Sequence, residues 1–592
     1  MRKKRTEPHE YHSTRARYFS NCGYFGPEPG GRLVDLIEPS KHIREKKSYR
    51  FEFQDDNGKD LGLEPLGLPE DSDWILYAGL DGDRTYMRNP FIYSLSRQIG
   101  RYASRMRFVE LYLNTDGGTV SNANYHGVYS LGENLKRGDH RIDAERLDPS
   151  MASTPEIEGG YILKHDRPDP DGSGLFFAGG VGVQFVYPDD TDTNEKQRDC
   201  IREHLDEALT TDNFMEMIDP LAAVDHHMLN ALAKNADAFR LSGYLHKPRD
   251  GKVTFGPIWD FDLSMDSLDS RDDDWDTWSG PPDASLYFEH DERVPYWSRW
   301  LENPDFLQLW IDRWFEHRRG PFATSNIQAM VDSMRDELTE SAARDAARWN
   351  NSIWSGRVDN LRNWLSNRVE WIDDQWLEPV EFSRSGGPIP PGSLLTLQSS
   401  NGTIFFTRDG SDPRPPGGAL SNIAETYVSP VTLNANARVV ARSRNGMDEW
   451  SAARAETFVV ETPPLVITEI HFHPTDPDIS SIYKADDFEF IELFNRGTAR
   501  SRQQVSVSGY PRRRRRTRNQ PTVDCDFEPG GAHRHASGRP RQHTLTRARE
   551  DRSGRRACSN HCQQHPHIRT PGRVQEDTHP RKRASGASTR VL

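Results

Sequence analysis

The stretch KNADAFRLSGYLHKPRDGKVTFGPIWDFD, residues 234–262, constrains the fold of this chain more than any other feature. Two strand-like segments in it flank the turn PRDG, in which Asp-Gly suits the positive φ angles of a tight turn. Residues 241–258 are therefore predicted to form a β-hairpin. The hairpin places Asp237 at one foot, and Asp260 and Asp262 at the other.

A hairpin returns the chain to the point from which it started. With about seven residues per arm and about 3.3 Å per residue, each arm would span about 23 Å, and the two feet would meet. Three carboxylates that converge repel one another unless a cation neutralises them. Oxygen ligands alone suit Mg²⁺ or Mn²⁺ better than zinc. The alternative is that Asp237 caps a turn and Asp260 closes the hairpin, with no ion.

A helix is predicted directly before this stretch. Asp219 is a capping residue, and Pro220 suits the first position of a helix. Apolar residues then recur at helical spacing from Leu221 to Leu232, and the pattern ends near Asn235. The loop that carries Asp237 is therefore expected to follow the end of a buried helix.

The rest of the first 380 residues divides into a strand-rich part and a helical part. Residues 46–56 and 107–114 alternate apolar and polar side chains, as strands do. Twelve of the fourteen tryptophans lie between Trp259 and Trp376, mostly in helical patterns. Such patterns favour a packed helical lobe over a ligand-binding face. The predicted fold class is α+β, with a helical carboxy-terminal lobe.

The order of these parts also occurs in protein kinases: a helix, a loop with an acidic residue, a hairpin, and an Asp that holds magnesium. By that order Asp237 is the candidate catalytic residue, and Asp260 and Asp262 are the candidate metal ligands. Ser242 stands where kinases have an Asn, a departure that would weaken a second metal site. The chain has no G-x-G-x-x-G or Walker A loop, which excludes an ordinary kinase or P-loop enzyme.

Two more charged residues complete the candidate set of cofactor-binding residues, which is Lys164, Glu133 and Ser242. Lys164 ends the apolar strand pattern GGYILK, where a partly buried ammonium group could neutralise phosphates; alternatively it reaches solvent. Glu133 closes the segment GVYSLGE and could pair with Lys164, help to bind metal, or lie at the surface. Further on, the acidic run at 269–278 lacks the spacing of a calcium loop and is interpreted as a solvated loop.

The net charge of −14 is distributed unevenly. From Arg500 onward, 22 Lys and Arg stand against 7 Asp and Glu, a charge of +15, so the first 499 residues carry −29. An acidic body argues against a nucleic-acid partner and suits metal ions. The Arg-rich segment 501–592 has no apolar periodicity. It is either a disordered basic tail or a shifted reading frame, and the collapse of the pattern directly after a strand favours the shift.

Composition predicts the remaining boundaries. No apolar run is long enough to span a membrane, and no signal peptide is visible at the Arg/Lys-rich start. SRSGGPIPPGS is typical of a linker, and short strand patterns with turn signals follow it. The predicted organisation is an irregular segment 1–45, an α+β domain 46–380, a linker 381–394, a small all-β sandwich 395–461, an incomplete β-domain 463–500 and the tail 501–592.

From about Lys46 to Leu377 the chain resembles the spore-coat protein H (CotH) kinase-like family. The resemblance rests on KKSYRFEF, HGVYSLGEN, GGYILK, KNADAFRLSGYLHK and GPIWDFDLS, in that order. It implies a divergent, atypical protein-kinase fold, ATP, a divalent metal (Mg²⁺ or Mn²⁺), and phosphorylation of coat or surface proteins. Carried over by position, Asp237 matches the catalytic Asp of the family and Asp260 its metal-binding Asp.

Two later segments resemble accessory modules. Residues 397–460, with FFTRDGSDPR, are similar to a chitobiase C-terminal-type β-sandwich. LVITEIHFHP and FEFIELFNRG are similar to the opening of a lamin-tail domain. Both modules commonly accompany exported proteins, so the resemblance implies a location at the cell surface.

Two functions of different classes are compatible with the sequence. The first is a metal-dependent phosphotransferase that acts on Ser or Thr hydroxyls of proteins. The second is a catalytically inactive, kinase-like attachment protein that binds partners through its β-modules. Ser242 favours the second function, and the presence of Asp237, Asp260 and Lys164 favours the first. A metal-dependent hydrolase would need a cluster of His ligands, and the sequence offers no such cluster in the body of the chain.

Overall fold

The computed structural model describes residues 14–18 and 46–495, except 56, 81, 115–117, 169–173, 279–286, 401, 463–464 and 472–489. The chain divides into two compact units, 1–530 and 531–592, and every described residue belongs to the first. The predicted tail 501–592 and most of the predicted segment 1–45 lie outside the described residues. The described part mixes helices and sheets, which confirms the α+β class.

The first sheet has five strands in the order β1-β2-β3-β5-β4, and every neighbouring pair in it is antiparallel. The strand patterns predicted at 46–56 and 107–114 correspond to β2 and β4. One helix, α1, leads from β3 to β4. The bounds are β1 (Thr14–Tyr18), β2 (Tyr49–Phe53), β3 (Asp73–Tyr77), α1 (Arg88–Gln98), β4 (Met106–Tyr112) and β5 (Tyr125–Glu133), with short 3₁₀ turns at Pro65–Gly67 and Asn122–Asn124.

The second sheet contains the predicted hairpin. Its strand order is β10-β9-β6-β8-β7, again antiparallel, and the hairpin pairs Phe255 with Leu245. The arms are shorter than predicted, because β10 has only two residues. The bounds are β6 (Tyr161–His165), β7 (Leu175–Ala178), β8 (Val181–Tyr187), α2 (Glu195–Thr210), α3 (Phe214–Met217), α4 (Pro220–Ala233), β9 (Gly243–Lys247) and β10 (Thr254–Phe255), with 3₁₀ turns at Glu156–Glu158 and Asp190–Asp192.

Helix α4 begins and ends where the sequence predicts. The Asp219 carboxylate accepts the amide of Ala222 over 3.0 Å, and Pro220 occupies the first helical turn. The helix stops at Lys234, whose φ of 46° is left-handed. From Ala222 to Ala233 every residue of α4 is buried, so the helix crosses the core and delivers the following loop from a fixed point.

The helical part packs around tryptophans, as predicted. Trp300, Trp310 and Trp314 are fully buried, and the rings of Trp310 and Trp314 stack at 5.7 Å. Their burial within one continuous core identifies them as packing residues rather than a ligand face. The bounds are α5 (Pro295–Glu302), α6 (Pro304–Arg318), α7 (Thr324–Trp349) and α8 (Trp354–Asp373).

Helices α4 and α6 are joined by a buried carboxylate. Asp225 of α4 is fully buried and accepts hydrogen bonds from Arg313 of α6, from Arg101 over 2.7 Å, and from His317 over 3.3 Å. Burial alone would raise the pKa of Asp225. The His317 hydrogen bond and the two guanidinium charges outweigh burial and lower that pKa to about 2. The ion-pair cluster therefore fixes the helix that leads to Asp237.

Residues 381–459 form strands around a separate small core. The segment predicted as a linker is not free of structure: it contributes β11, β12 and β13. One five-stranded sheet has the order β12-β19-β18-β15-β16, and β11–β14 and β13–β17 form pairs. The bounds are β11 (Glu381–Phe382), β12 (Gly387–Pro388), β13 (Ser393–Leu395), β14 (Leu397–Gln398), β15 (Thr403–Thr407), β16 (Glu425–Thr426), β17 (Val431–Leu433), β18 (Ala437–Arg444) and β19 (Arg454–Val459).

Buried arginines attach this strand-rich region to the helical part. Arg442 of β18 is 2% exposed and forms ion pairs with Asp312 of α6 and with Asp412. Arg414 binds Asp305 at the start of α6 over 2.8 Å. After this region, β20 (Leu465–His471) pairs antiparallel with β21 (Phe490–Asn495), the two strands predicted there.

Candidate active site

The two feet of the hairpin meet, as the sequence predicts. The amide of Ala236 donates to the carbonyl of Leu263 over 3.0 Å. The side-chain amide of Asn235 donates to the carbonyl of Asp260 over 3.2 Å. Main-chain and side-chain hydrogen bonds thus join the loop after α4 to the segment after β10, and the two carboxylate-bearing loops form one unit.

Helix α1 holds the second foot in place. The amide of Asp260 donates to the hydroxyl of Tyr93 over 3.0 Å, and the amide of Phe261 donates to the side-chain oxygen of Asn89 over 2.7 Å. Phe261 is itself fully buried. Asp260 has a left-handed backbone with φ of 58°, a conformation that Asp tolerates better than most residues. Its carboxyl group is therefore aimed by its own backbone geometry.

The Asp260 carboxyl group lies in a strongly negative environment. Burial of that group is the largest cause that raises its pKa well above the usual range, and the charges of Asp262, Asp166 and Asp237 raise it further. The Asp260 carboxyl also lies within hydrogen-bonding range of the Asp262 carboxyl. Two carboxyl groups this close require either a shared proton or a cation.

The pair suits a hard divalent cation but does not enclose one. Mg²⁺ is commonly held by one or two carboxylates together with substrate phosphates and water. In the described part of the chain, no group of three or more His, Cys, Asp or Glu residues is arranged to hold a metal ion. The structure thus brings Asp260 and Asp262 together, and their binding of a metal ion stays a prediction.

Asp237 instead forms hydrogen bonds with two arginines. Its Oδ1 atom accepts a hydrogen bond from Arg240 over 2.6 Å and another from Arg271 over 3.1 Å. Its side chain retains 22% exposure. Asp237 thus lies beside the carboxylate pair, close enough for its charge to affect Asp260, while two guanidinium groups fix its orientation.

Lys164 and Ser242 lie near a carboxylate that sequence reasoning did not single out, Asp166. Lys164 lies on β6 and is 4% exposed. Burial raises the pKa of Asp166. Three interactions oppose that rise: a hydrogen bond from the Arg167 amide, the charge of Lys164, and a hydrogen bond from the Ser242 amide. Ser242 has a left-handed backbone with φ of 54°, and its amide donates to the Asp166 carboxylate. The site therefore contains four carboxylates and one buried ammonium group.

Glu133 is fully buried, which rules out the surface position among the alternatives offered for it. Its carboxylate accepts hydrogen bonds from Arg141 over 2.7 Å, from Tyr102 over 3.1 Å and from Arg105. The structure thus gives Glu133 two guanidinium partners, and its pairing with Lys164 stays a prediction. Two guanidinium groups already neutralise Glu133, which leaves it little capacity to bind a metal.

Aromatic rings form a wall beside the carboxylates. Trp259 precedes Asp260, stacks with Tyr93 at 6.0 Å, and meets the ring of Tyr244 at 6.3 Å. The pKa of Tyr93 is raised well above its usual range by burial and by the Asp260 charge, so its hydroxyl stays neutral. The site thus combines an aromatic surface with clustered carboxylates.

The acidic run at 269–278 is not simply solvated. Asp272 is fully buried, and its Oδ2 accepts the amide of Ser267 over 3.1 Å. Burial raises the pKa of Asp272 to about 7, against the hydrogen bond from Ser267 and the charge of Arg88. The sequence could not show this, because the neighbouring acidic residues are exposed and no apolar pattern marks the buried position.

We expect Asp272→Asn to stabilise the protein above neutral pH. The folded-state pKa is raised, so folding stability falls as the pH rises from about 4 to about 7, and the penalty persists above that. Removing the ionisable group should raise the free energy of unfolding at pH 8 by roughly 2 kcal/mol. Urea denaturation at pH 5 and pH 8 measures this effect. The exposed Asp276→Asn serves as the control and should show no such gain at pH 8.

Comparison with known protein families covers the part of the chain that contains this site. The family model described as CotH kinase protein matches residues 39–372, more than half of the chain. The chain matches none of the curated proteins with which it was compared. Among the helices of the described residues, none combines the length and apolar character that crossing a membrane requires.

Proposed function

Because the chain belongs to the CotH kinase protein family, we propose that it is a metal-dependent kinase. It transfers the γ-phosphate of ATP to Ser or Thr hydroxyls of proteins. The observation that carries the proposal is the junction of the two hairpin feet, where Asp237 lies beside the Asp260–Asp262 pair. The family membership supports the kinase-like class, and the substrate and metal are our proposals.

Each charged residue of the site has a distinct role in this proposal. Asp237 retains solvent exposure and accepts the proton of the acceptor hydroxyl. Lys164 neutralises the phosphates of ATP, since this buried ammonium group lies close enough to the carboxylate cluster for its charge to lower the pKa of Asp166. Asp260 and Asp262 would hold Mg²⁺ or Mn²⁺, which would neutralise charge on the phosphates.

The aromatic wall supplies a surface for the adenine ring. Trp259 and Tyr244 meet at the base of the hairpin, next to the carboxylates. A planar base stacks favourably against such rings, a contact worth about 1–3 kcal/mol. The proposal therefore places the base toward Trp259 and the phosphates toward Asp260.

We expect ATP with Mg²⁺ or Mn²⁺ to raise the melting temperature of the full chain. A ligand that binds only the native state at a hundred times its Kd stabilises by about 2.7 kcal/mol. Thermal unfolding with nucleotide alone, metal alone and both together measures the effect, and radiolabelled ATP with a degenerate Ser/Thr peptide library measures transfer. An unchanged melting temperature at millimolar ATP and metal, with no labelled peptide, would contradict the proposal.

One alternative function has specific support. A kinase-like attachment protein without catalytic activity would tolerate Ser242 where the kinase pattern has Asn. It would also tolerate a carboxylate pair without a third ligand among the described residues. In that case the protein would bind nucleotide without transferring phosphate, or it would show neither nucleotide binding nor phosphate transfer. The strand-rich region at 381–459 and the strands β20 and β21, which we propose to be chitobiase-like and lamin-tail-like modules, would then carry the binding function at a cell surface.

A further inference from the structure

The segment that follows Asp262 is fastened to the core at seven backbone carbonyls. At its start, Arg88 is 1% exposed and donates to the carbonyl of Ser264 over 2.6 Å, to that of Met265 over 3.1 Å, and to that of Asp266. The Arg88 guanidinium is held in turn by Asp83 over 2.7 Å. The first part of the segment is thereby tied to the loop before α1.

Three more buried side chains fasten the end of the segment. Lys234 donates to the carbonyl of Asp274 over 2.6 Å. The indole of Trp364 donates to the carbonyl of Asp273 over 2.8 Å. Arg368 of α8 donates to two further carbonyls, those of Trp275 and Thr277, each over 2.7 Å. All three donors are less than 5% exposed. Charged donors in buried positions make strong hydrogen bonds, so this segment is ordered before any ligand arrives.

Arg271 lies between these two fastened parts of the segment, and its side chain contacts Asp237. Arg271 is locked by Asp269, which accepts its Nε over 2.8 Å, its Nη2 over 2.6 Å and its amide over 3.0 Å. Its remaining guanidinium nitrogen, Nη1, donates to Asp237 over 3.1 Å. The position of Arg271 is therefore set by the segment and not by Asp237.

We propose that Arg271 is a positioning residue for Asp237, delivered by a segment that is ordered in advance. This inference rests on the proposed kinase function. Arg271 and Arg240 both bind Oδ1 of Asp237, so they fix the plane of the carboxylate. Oδ2 accepts no hydrogen bond from the described residues and is left to face the acceptor hydroxyl.

The alternative role for such an arginine is inhibitory: it would block Asp237, as a plug, and would have to move away before the acceptor binds. A plug would be mobile and would cover both carboxylate oxygens. Arg271 is instead held by three hydrogen bonds to one carboxylate, is 16% exposed, and contacts a single oxygen of Asp237. These contacts favour positioning over inhibition.

The chain contains a matched control for this arginine. Arg293 and Asp291 repeat the same local pattern: Asp291 accepts the Arg293 amide over 2.9 Å, its Nε over 2.7 Å and its Nη2 over 2.6 Å. Arg293 makes no hydrogen bond to Asp237. Replacing Arg293 thus removes an equivalent Asp–Arg lock and leaves both arginines of Asp237 in the chain. Because the Asp291 charge also acts on Arg240, this variant reports any effect on Asp237 that comes through Arg240 rather than through Arg271.

The test compares Arg271→Ala, Arg271→Lys and Arg293→Ala in the full chain, with labelled ATP and the peptide library. Arg271→Ala is expected to lower kcat by roughly 10- to 100-fold, the cost of a misplaced catalytic group. The KM for ATP and the melting-temperature shift with ATP and metal should stay at the parent values. Arg271→Lys should recover part of kcat, and Arg293→Ala should match the parent.

Three results would overturn the inference. Parent-level kcat in Arg271→Ala would show that Arg271 does not position the base, and a raised kcat would show that it is a plug. If the parent itself transfers no phosphate, the proposed function fails, and crystal structures of Arg271→Ala and Arg293→Ala then decide the positioning separately. The Asp237 carboxylate should turn away from its parent orientation only in Arg271→Ala, and an unmoved carboxylate would contradict the inference.

Discussion

We expect Asp237→Asn to reduce phosphate transfer by roughly 10²- to 10⁴-fold, the range for loss of a general base. Nucleotide and metal should still bind, because Asp237 is proposed to act on the acceptor, and it is held by Arg240 and Arg271 rather than by the carboxylate pair. The melting-temperature shift with ATP and metal should therefore equal that of the parent. Transfer to the peptide library and thermal unfolding with ligands measure the two effects separately.

Asp260→Asn provides the contrast that makes this result specific. It removes a proposed metal ligand, so ligand-dependent stabilisation should fall together with transfer. The metal-free variant should unfold at the parent temperature or above it, because Asn removes a buried carboxyl group whose pKa is raised by neighbouring negative charges. Asp199→Asn, in an exposed pair with Arg202 on α2, should leave both readouts unchanged. Parent-rate transfer by both site variants would show that the hairpin carboxylates are only turn residues.

The hairpin and its preceding helix could be predicted from sequence because their signals are local. The Asp219 cap, the periodicity of α4 and the PRDG turn each act within a few residues, and the structure contains all three features. Together they bring Asp237 and Asp260 to one place without any knowledge of the remaining core. The shortness of β10 has a local signal as well, because Gly256-Pro257 directly follows Phe255 and a proline cannot donate a hydrogen bond to a neighbouring strand.

The partners of the site residues could not be predicted, since they come from distant parts of the chain. Arg271 reaches Asp237 only because buried donors such as Arg88 and Arg368 fix the path of a segment that has no periodic pattern. Glu133 illustrates the same limit: its charge suggested a cationic partner, but the sequence did not indicate that two arginines outside its own strand would bind it. Charge alone indicates that a partner is needed, and the fold decides which one is present.

The largest expected effect on stability concerns Asp225, which joins α4 to α6. Asp225→Asn removes the buried counter-charge that Arg101 and Arg313 share, and leaves them only the more exposed carboxylates of Asp219 and Glu316. Breaking such a buried pair costs roughly 3–5 kcal/mol. Because α4 leads directly to the Asp237 loop, we expect transfer activity to be lost at a lower temperature than in the parent. Urea denaturation at pH 7 measures the change in the free energy of unfolding. The exposed Asp199→Asn is the matched control and should cost less than about 1 kcal/mol.

The pH dependence of this cluster gives an independent check. The pKa of Asp225 is lowered to about 2 in the folded protein, so its stabilisation is fully present above the usual carboxyl range. It is lost as the pH falls from about 4 toward about 2, where the folded carboxylate takes up its proton. The difference in unfolding free energy between the parent and Asp225→Asn should therefore shrink as the pH falls below 4. A difference that is equally large at pH 2.5 would show that packing, and not the buried charge, holds α4 against α6.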